Sequence, residues 1–286
     1  MTRTPSKSSL CKRPSFCLSH GTCVISPQNK PAFCKFKTTP FSYMLSEELQ
    51  GWEKLVCFFL QQTKYVAPVK TNGPSMGGIM RSQFNAKDEA SAFEEANKWI
   101  ATHLKQISPR AFKEYCEALI NGMAHMEYPS PYNMFDFASF FTFTMYNFYN
   151  KPHKDTDVNN WTLVCWIPIF NPQNSKDNDP ILADKGFDMI GGQFTFCDFQ
   201  VYIDLNEVVG VTMCVFRSQE ELHQNFDGAS PSDKYTRTGF SYQMSQKMSK
   251  AVVEYINSDT KIAGQKVQIV EAEKRVEKEY KKKLNE

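Results

Sequence analysis

The sequence predicts an α+β fold in which helices come first and brace a β-rich core that follows them. Two observations carry this expectation. From Ser46 to Met123, apolar residues recur at three- and four-residue steps in three successive segments. From Phe135 onward the texture changes to short runs of aromatic and β-branched residues, separated by Asn, Asp, Gly and Pro. Composition bounds the class: 286 residues, 41% hydrophobic and 14% aromatic, are enough to bury a sizeable core. No run of 18 or more apolar residues exists, so a membrane-spanning helix is not expected.

The chain opens on a basic stretch. Arg3, Lys7, Lys12, Arg13, Lys30, Lys35 and Lys37 precede the first acidic residue, Glu47. Of 33 basic and 31 acidic residues, the remainder therefore holds 26 and 31, a mildly acidic body behind a basic arm. Low hydrophobicity with one sign of charge predicts a disordered arm over residues 1–45, able to touch phosphates. It lacks the apolar core of a secretory signal. Nine scattered cysteines, an odd number, read as reduced thiols of an intracellular protein. Cys11, Cys17, His20, Cys23 and Cys34 invite a zinc knuckle, but the spacing lacks the usual Cys-x2-4-Cys pair.

The helices follow in order. "SEELQGWEKLVCFFLQQTKY" has acids in its first turn, where the helix dipole favours them. "VAPVKTNGPSMGG" reads as a looser interruption. "AKDEASAFEEANKWIATHLKQ" sets Phe93, Ala96, Ile100 and Leu104 on one face. "SPRAFKEYCEALINGM" starts with Ser108 as N-cap and Pro109 at the first helical position, and buries Phe112, Cys116, Leu119 and Met123. None of these carries a catalytic signal.

Expected strands are "FASFFTFTMYNFY", "WTLVCWIPIF", "GGQFTFCDF", "QVYIDL", "VVGVTMCVFRS" and "TRTGFSYQM", which together argue for a sandwich or barrel. "MSKAVVEYI" reads as a short closing helix, and residues 261–286 as a charged tail.

Chemistry enters at "YNKPHKDTDVNNW". His153 and Asp155 form a His-x-Asp just past an expected strand. Non-haem Fe(II) sites use two histidines and one carboxylate on one face of the ion, leaving positions open for cosubstrate and oxygen. The third ligand must come from a strand folded back beside the first two. His223 follows the strand "GVTMCVF", and the remaining histidines, His20, His103 and His125, all precede the strand region. Arg237 lies 14 residues further on, in the next strand, with Gly239 and Ser241 on its face. An arginine there would hold the far carboxylate of 2-oxoglutarate through its planar fork. Arg217, six residues before His223, is the competing candidate.

These residues, with "IGGQFTF", "YIDL", "GVTMCVFRS", the second acid of "HKDTD" at Asp157, and "GFSYQMSQKMSKAV", run in an order that resembles the Tet/JBP-like Fe(II)/2-oxoglutarate oxygenases, and among them the fungal Tet-like oxygenases. The resemblance spans roughly residues 130–256. It implies a double-stranded β-helix, or jelly-roll, core over 131–256, preceded by a helical part over 46–130, in one domain over 46–260. It implies His153, Asp155 and His223 as catalytic iron ligands, Arg237 as the 2-oxoglutarate residue, and Fe(II), 2-oxoglutarate and O2 as cofactors. Asn147 and Tyr149 resemble the cosubstrate-binding Asn-x-Tyr that precedes His-x-Asp in nucleic-acid demethylases. The implied reaction is oxidation of a 5-methylcytosine-type base in DNA, with release of succinate and CO2, in an intracellular, nuclear setting. Two other readings stay open: a hydroxylase of a protein side chain or small molecule, and a metal-free binding protein.

Overall fold

The computed structural model describes residues 16–62, 76–80, 87–119, 133–138, 140–146, 148–176, 178–243, 246 and 250. It shows an α+β architecture. In chain order, strands β1 (Phe16–Leu18), β2 (Gly21–Ile25) and β3 (Cys34–Pro40) lead to helix α1 (Ser46–Gln61). Strand β4 (Met76–Met80) and helices α2 (Lys87–Ile107) and α3 (Pro109–Ala118) come next. Strands β5 (Phe140–Thr144), β6 (Thr162–Phe170), β7 (Ile190–Gly191), β8 (Phe194–Phe196), β9 (Val201–Ile203) and β10 (Gly210–Phe216) follow. The described chain closes with β11 (His223–Asn225), β12 (Gly228–Ala229) and β13 (Tyr235–Gln243).

A seven-stranded antiparallel sheet in the order β2-β3-β10-β6-β13-β5-β4 faces a four-stranded sheet, β1-β9-β8-β11, in which β1 runs parallel to β9. Both faces of the large sheet are covered, which explains why β10 is buried at every position. Alternation divides its residues. Val211, Met213 and Val215 meet the helices, whereas Cys214 and Phe216 point at the small sheet. The inter-sheet core is aromatic: the Trp166 and Phe194 rings lie 4.8 Å apart, and those of Phe196 and Phe216 5.3 Å apart. On the other face α1 lays down Trp52, Leu55, Val56, Phe58 and Phe59, and α2 the expected Phe93, Ala96, Ile100 and Leu104.

Ser108 caps α3, its hydroxyl accepting from the Ala111 amide at 3.3 Å, with Pro109 in the first turn. Of that helix's expected face, Phe112 and Leu119 are buried and Cys116 packs against the core. Met123, the closing helix and the charged tail lie outside the described residues. No helix among the described residues is long and apolar enough to cross a membrane.

Two expectations are corrected. Residues 16–45 are not a disordered arm: β1, β2 and β3 fall there, and Phe33, Cys34 and Phe36 are buried in the inter-sheet core. The charge count misled over β3 because it ignores alternation. Lys35 and Lys37 alternate along β3 with buried Cys34, Phe36 and Thr38. The looser interruption after α1 likewise ends inside β4, which is paired in register with β5 from Met76 opposite Thr144 to Met80 opposite Phe140. Its Gly-Gly hides a strand whose hydrogen bonds are made by backbone alone.

The first correction is testable. Phe36→Ala should lower stability by about 3–5 kcal/mol in denaturant unfolding, as expected for a large buried aromatic. Deletion of residues 1–40 should abolish the cooperative transition. A folded, fully stable protein lacking 1–40 would contradict the placement of β3.

Candidate metal and cosubstrate site

Three side chains converge between the two sheets. His153 and His223 face each other as an antiparallel bridge pair, each backbone N–H donating to the other's carbonyl at 3.0 Å. Directly opposed residues project to the same side, which brings their rings to 4.4 Å between centroids. Asp155 is two residues on in extended chain, so it returns to the same face. Its amide donates to the Ser218 carbonyl at 3.0 Å, which fixes the segment. Asp155 Oδ1 then lies 3.5 Å from His153 Nε2 and 3.8 Å from His223 Nε2. The ligand atoms of the three residues all fall within 4.8 Å of one another.

The hydrogen bonds on the far side of each imidazole settle how the rings are used. His153 Nδ1 lies 2.9 Å from the Lys151 carbonyl oxygen, and His223 Nδ1 lies 2.9 Å from that of Glu221. A carbonyl only accepts, so each Nδ1 carries the proton and each Nε2 turns a lone pair toward Asp155. That is the outer-shell arrangement that orients imidazole ligands on a metal. His223 is buried against the rings of Phe194 and Phe216. Burial pulls its pKa down to about 4, the charge of Asp155 raises it, and His153 lowers it further. The neutral form of His223, the form able to ligate a metal, therefore persists at neutral pH.

Asp157, on the same strand segment, is buried, and its Oδ2 lacks a partner among the described residues. Burial, then the neighbouring Asp155 charge, raises its pKa to about 7. The sign follows from linkage. The unfolded side chain loses its proton near pH ~4 and the folded one near pH 7, so stability falls as pH rises through that window. In the metal-free protein, Asp157→Asn should remove a pH-dependent loss of about 3–4 kcal/mol between those limits. Parallel pH–stability curves for the two proteins would disprove the assignment.

The triad lines a cleft of about 570 Å³ whose walls include Phe148, Asn150, Trp166, Asn225 and Ser241. A second hollow of about 330 Å³ continues from it, sharing Thr144, Phe148, Trp166, Asn225 and Gly239, and ends at Arg237. Arg237 is buried, and burial lowers its pKa to about 10, with Asp204 acting in the opposite direction. Its Nη1 donates to the Gly192 carbonyl at 2.8 Å, and its Nη2 to the Gly191 carbonyl at 3.2 Å and to Asn206 Oδ1 at 2.7 Å. Nε has no partner, and no carboxylate lies within ion-pair distance of this guanidinium among the described residues. A buried cation with only neutral acceptors favours an anion beside it. Gly192 makes the approach possible: its φ is +73°, and a Cβ there would sit 2.6 Å from Arg237 Nη2.

The expected residues divide as follows. His153, Asp155 and His223 come together, and Arg237 closes the adjoining hollow, with Gly239 and Ser241 on the cleft wall. Arg217 lines neither space. It donates to Glu220 at 3.0 Å and stacks 5.2 Å over Trp161. Tyr149 also lines neither, and Asn147 lies outside the described residues. The neighbours Phe148 and Asn150 line the cleft instead, and Asn150 Oδ1 accepts from the Asn225 amide at 2.7 Å. His223 opens strand β11. Among the described residues the members of the zinc knuckle do not gather as a metal-binding group: Cys17 is exposed, Cys23 is half-buried, and Cys34 is buried with its Sγ 3.4 Å from that of Cys214, while Cys11 lies outside the described residues. Among the described residues the only group suited to a metal ion is His153, Asp155 and His223.

Comparison with known proteins gives one family match. The model of the Tet-like 2OG-Fe(II) oxygenase superfamily matches residues 80–226, just over half of the chain. That span holds the triad and ends before Arg237. Solved structures with related shape include a prolyl-4-hydroxylase of Pseudomonas putida, at 12% identity and a TM-score of 0.37, covering 74% of this chain and 92% of that one. A prolyl hydroxylase of Trichoplax adhaerens, in complex with a hypoxia inducible factor peptide fragment, is similar at 10% identity and a TM-score of 0.37, covering 76% and 86%. The rice dioxygenase for auxin oxidation is similar at 8% identity and a TM-score of 0.35, covering 74% of each chain. No curated protein matches.

Proposed function

Since the chain belongs to the Tet-like 2OG-Fe(II) oxygenase superfamily, we propose that it oxidises the methyl group of a 5-methylcytosine-type base in DNA. In this reading the two facing sheets form a double-stranded β-helix, His153, Asp155 and His223 hold Fe(II), and Arg237 holds 2-oxoglutarate. The observation that carries it is the pairing of two committed histidines with a buried, anion-seeking arginine one hollow away. Bound Fe(II), 2-oxoglutarate and O2 supply the oxidation, in which one oxygen atom enters succinate as CO2 leaves and the other enters the methyl group.

The chain's own residues place and isolate the reactants. Lys151 and Glu221 hold the imidazoles in register through their carbonyls. Trp166 and Phe148 wall the passage between triad and Arg237. A base in a duplex must leave the stack to reach such a centre. The cleft offers what an extruded base needs: aromatic faces from Phe148 and Trp166, and hydrogen-bonding groups from Asn150, Asn225 and Ser241.

The test is mass spectrometry of nucleosides after incubation of methylated duplex DNA with the protein, Fe(II), 2-oxoglutarate and O2. Loss of the methylated base, matched by an oxidised product and an equivalent amount of succinate, is the expected result. Turnover of 2-oxoglutarate with a peptide substrate, and none with DNA, would move the substrate to a protein side chain.

A further inference from the structure

Beside the triad, six polar side chains line its cleft: Thr142, Thr144, Asn150, Thr162, Asn225 and Ser241. Five of them can act as donor or acceptor. A hydroxyl rotates to suit its neighbour, and Thr142 and Ser241 already share a hydrogen bond of 2.6 Å. The Asn225 side chain makes no hydrogen bond among the described residues, so its carboxamide can turn either way. Asn150 is different. Its Oδ1 accepts from the Asn225 backbone amide at 2.7 Å, and its own backbone N–H donates to the Asn225 carbonyl at 3.2 Å. An amide N–H only donates, so the oxygen of this carboxamide is held on β11. Turning the group over would set Nδ2 against that N–H, donor to donor. Nδ2 has no acceptor among the described residues, and it is not one of the polar atoms sealed from solvent. The cleft thus contains one accessible group of fixed sense, and it is a donor.

We propose that Asn150 selects the base: its Nδ2 donates to ring N3 of an extruded 5-methylcytosine and rejects thymine. This inference rests on the DNA reading above. The two bases carry the same methyl group on the same ring carbon and have nearly the same shape. Neither a metal at the triad nor the faces of Phe148 and Trp166 can tell them apart. They differ in hydrogen-bonding sense, because N3 of cytosine accepts whereas N3 of thymine carries a hydrogen. Of the two ring-edge acceptors of cytosine, N3 lies nearer the methyl group that must face the triad. Asn225, free to turn, can accept from the cytosine amino group or donate to the thymine oxygen, and so discriminates nothing. The fixed donor of Asn150 meets an acceptor in one base and a hydrogen in the other. Rejection of this kind comes from a polar group left unpaired, not from shape.

The test compares two duplexes of one sequence, with 5-methylcytosine or thymine at a single position and uracil replacing every other thymine. An abasic site opposite that position spares both bases the cost of unpairing. With Fe(II), 2-oxoglutarate and O2, the full chain should favour 5-methylcytosine by at least about tenfold in kcat/KM. Asn150→Asp keeps the acceptor that holds Asn225 and turns the Nδ2 donor into an acceptor, which suits thymine. Its selectivity ratio should fall by at least about tenfold. Asn150→Ser offers a hydroxyl of either sense and no added charge, and should bring the ratio toward one. Loss of stability, or repulsion of DNA by the new carboxylate, would act on both duplexes alike, so the ratio isolates the contact. Equal oxidation of the two bases by the unaltered chain would overturn the proposal, as would an unchanged ratio in either folded variant. The DNA reading would survive both results. Oxidation of neither base would overturn the two together.

Discussion

Replacement of His223 by alanine should abolish Fe(II) binding, with affinity reduced by more than about 100-fold, since loss of even an outer-shell partner costs 10- to 100-fold. The His223 Nε2 is one of only three ligand atoms gathered at this point, and no other His, Cys, Asp or Glu among the described residues is placed to substitute. The ring is also packed between Phe194 and Phe216, so its loss leaves a cavity and lowers stability. His153→Ala separates the two effects. His153 is half-exposed, its side chain contributes little to the core, and its removal should eliminate iron while leaving the thermal melt nearly unchanged. Metal analysis of both purified variants reads the outcome. Full iron occupancy in either one would remove that residue from the ligand set.

The triad was legible because its members are set by short-range rules. His153 and Asp155 are two apart, and any extended segment returns them to one face. His223 could be found because few histidines exist and only one follows the right strand. The helices were legible for the same reason: a 3.6-residue period is a local signal, and the faces carrying Phe93, Ile100 and Leu104 are buried as expected.

What escaped the sequence depends on pairing between distant strands. Lys35 and Lys37 made residues 16–45 look like a solvated arm, because charge counts ignore alternation, and the partner that buries Cys34 and Phe36 is β10, about 180 residues away. β4 is short and contains Gly77 and Gly78, so it has little strand propensity of its own and rests on β5. The cleft residues Asn150 and Asn225 are ordinary in sequence. Only the register that puts the Asn225 amide on Asn150 Oδ1 marks them as part of the wall. Parity from His153 could not have found Phe148 and Asn150: counting back in steps of two reaches Lys151, Tyr149 and Asn147 instead.

Arg237→Ala should raise the 2-oxoglutarate concentration needed for turnover by about 10- to 150-fold, the range expected when a charge-assisted hydrogen bond worth roughly 1.5–3 kcal/mol is lost. Fe(II) occupancy should be spared, because none of the triad's contacts involves this residue. The sequence left Arg217 as a rival, and geometry favours Arg237: it closes the hollow that adjoins the triad cleft, while Arg217 is engaged with Glu220 and Trp161. Truncation also removes the donor to the Gly192 carbonyl and to Asn206 Oδ1, while the Gly191 carbonyl keeps the Asn206 side-chain amide at 2.7 Å, so some loss of stability will accompany it. Two milder variants isolate the cosubstrate role. Arg237→Lys retains the charge but cannot reproduce the planar fork, and should recover only part of the affinity. Gly192→Ala keeps the arginine but places a methyl where its guanidinium now lies, at a backbone φ of +73° that disfavours alanine. It should weaken 2-oxoglutarate while Fe(II) stays bound. Succinate formation measured against 2-oxoglutarate concentration distinguishes the cases. A normal requirement in Arg237→Ala together with a lost one in Arg217→Ala would transfer the cosubstrate role to Arg217, and the geometry of His153, Asp155 and His223 would be untouched by that transfer.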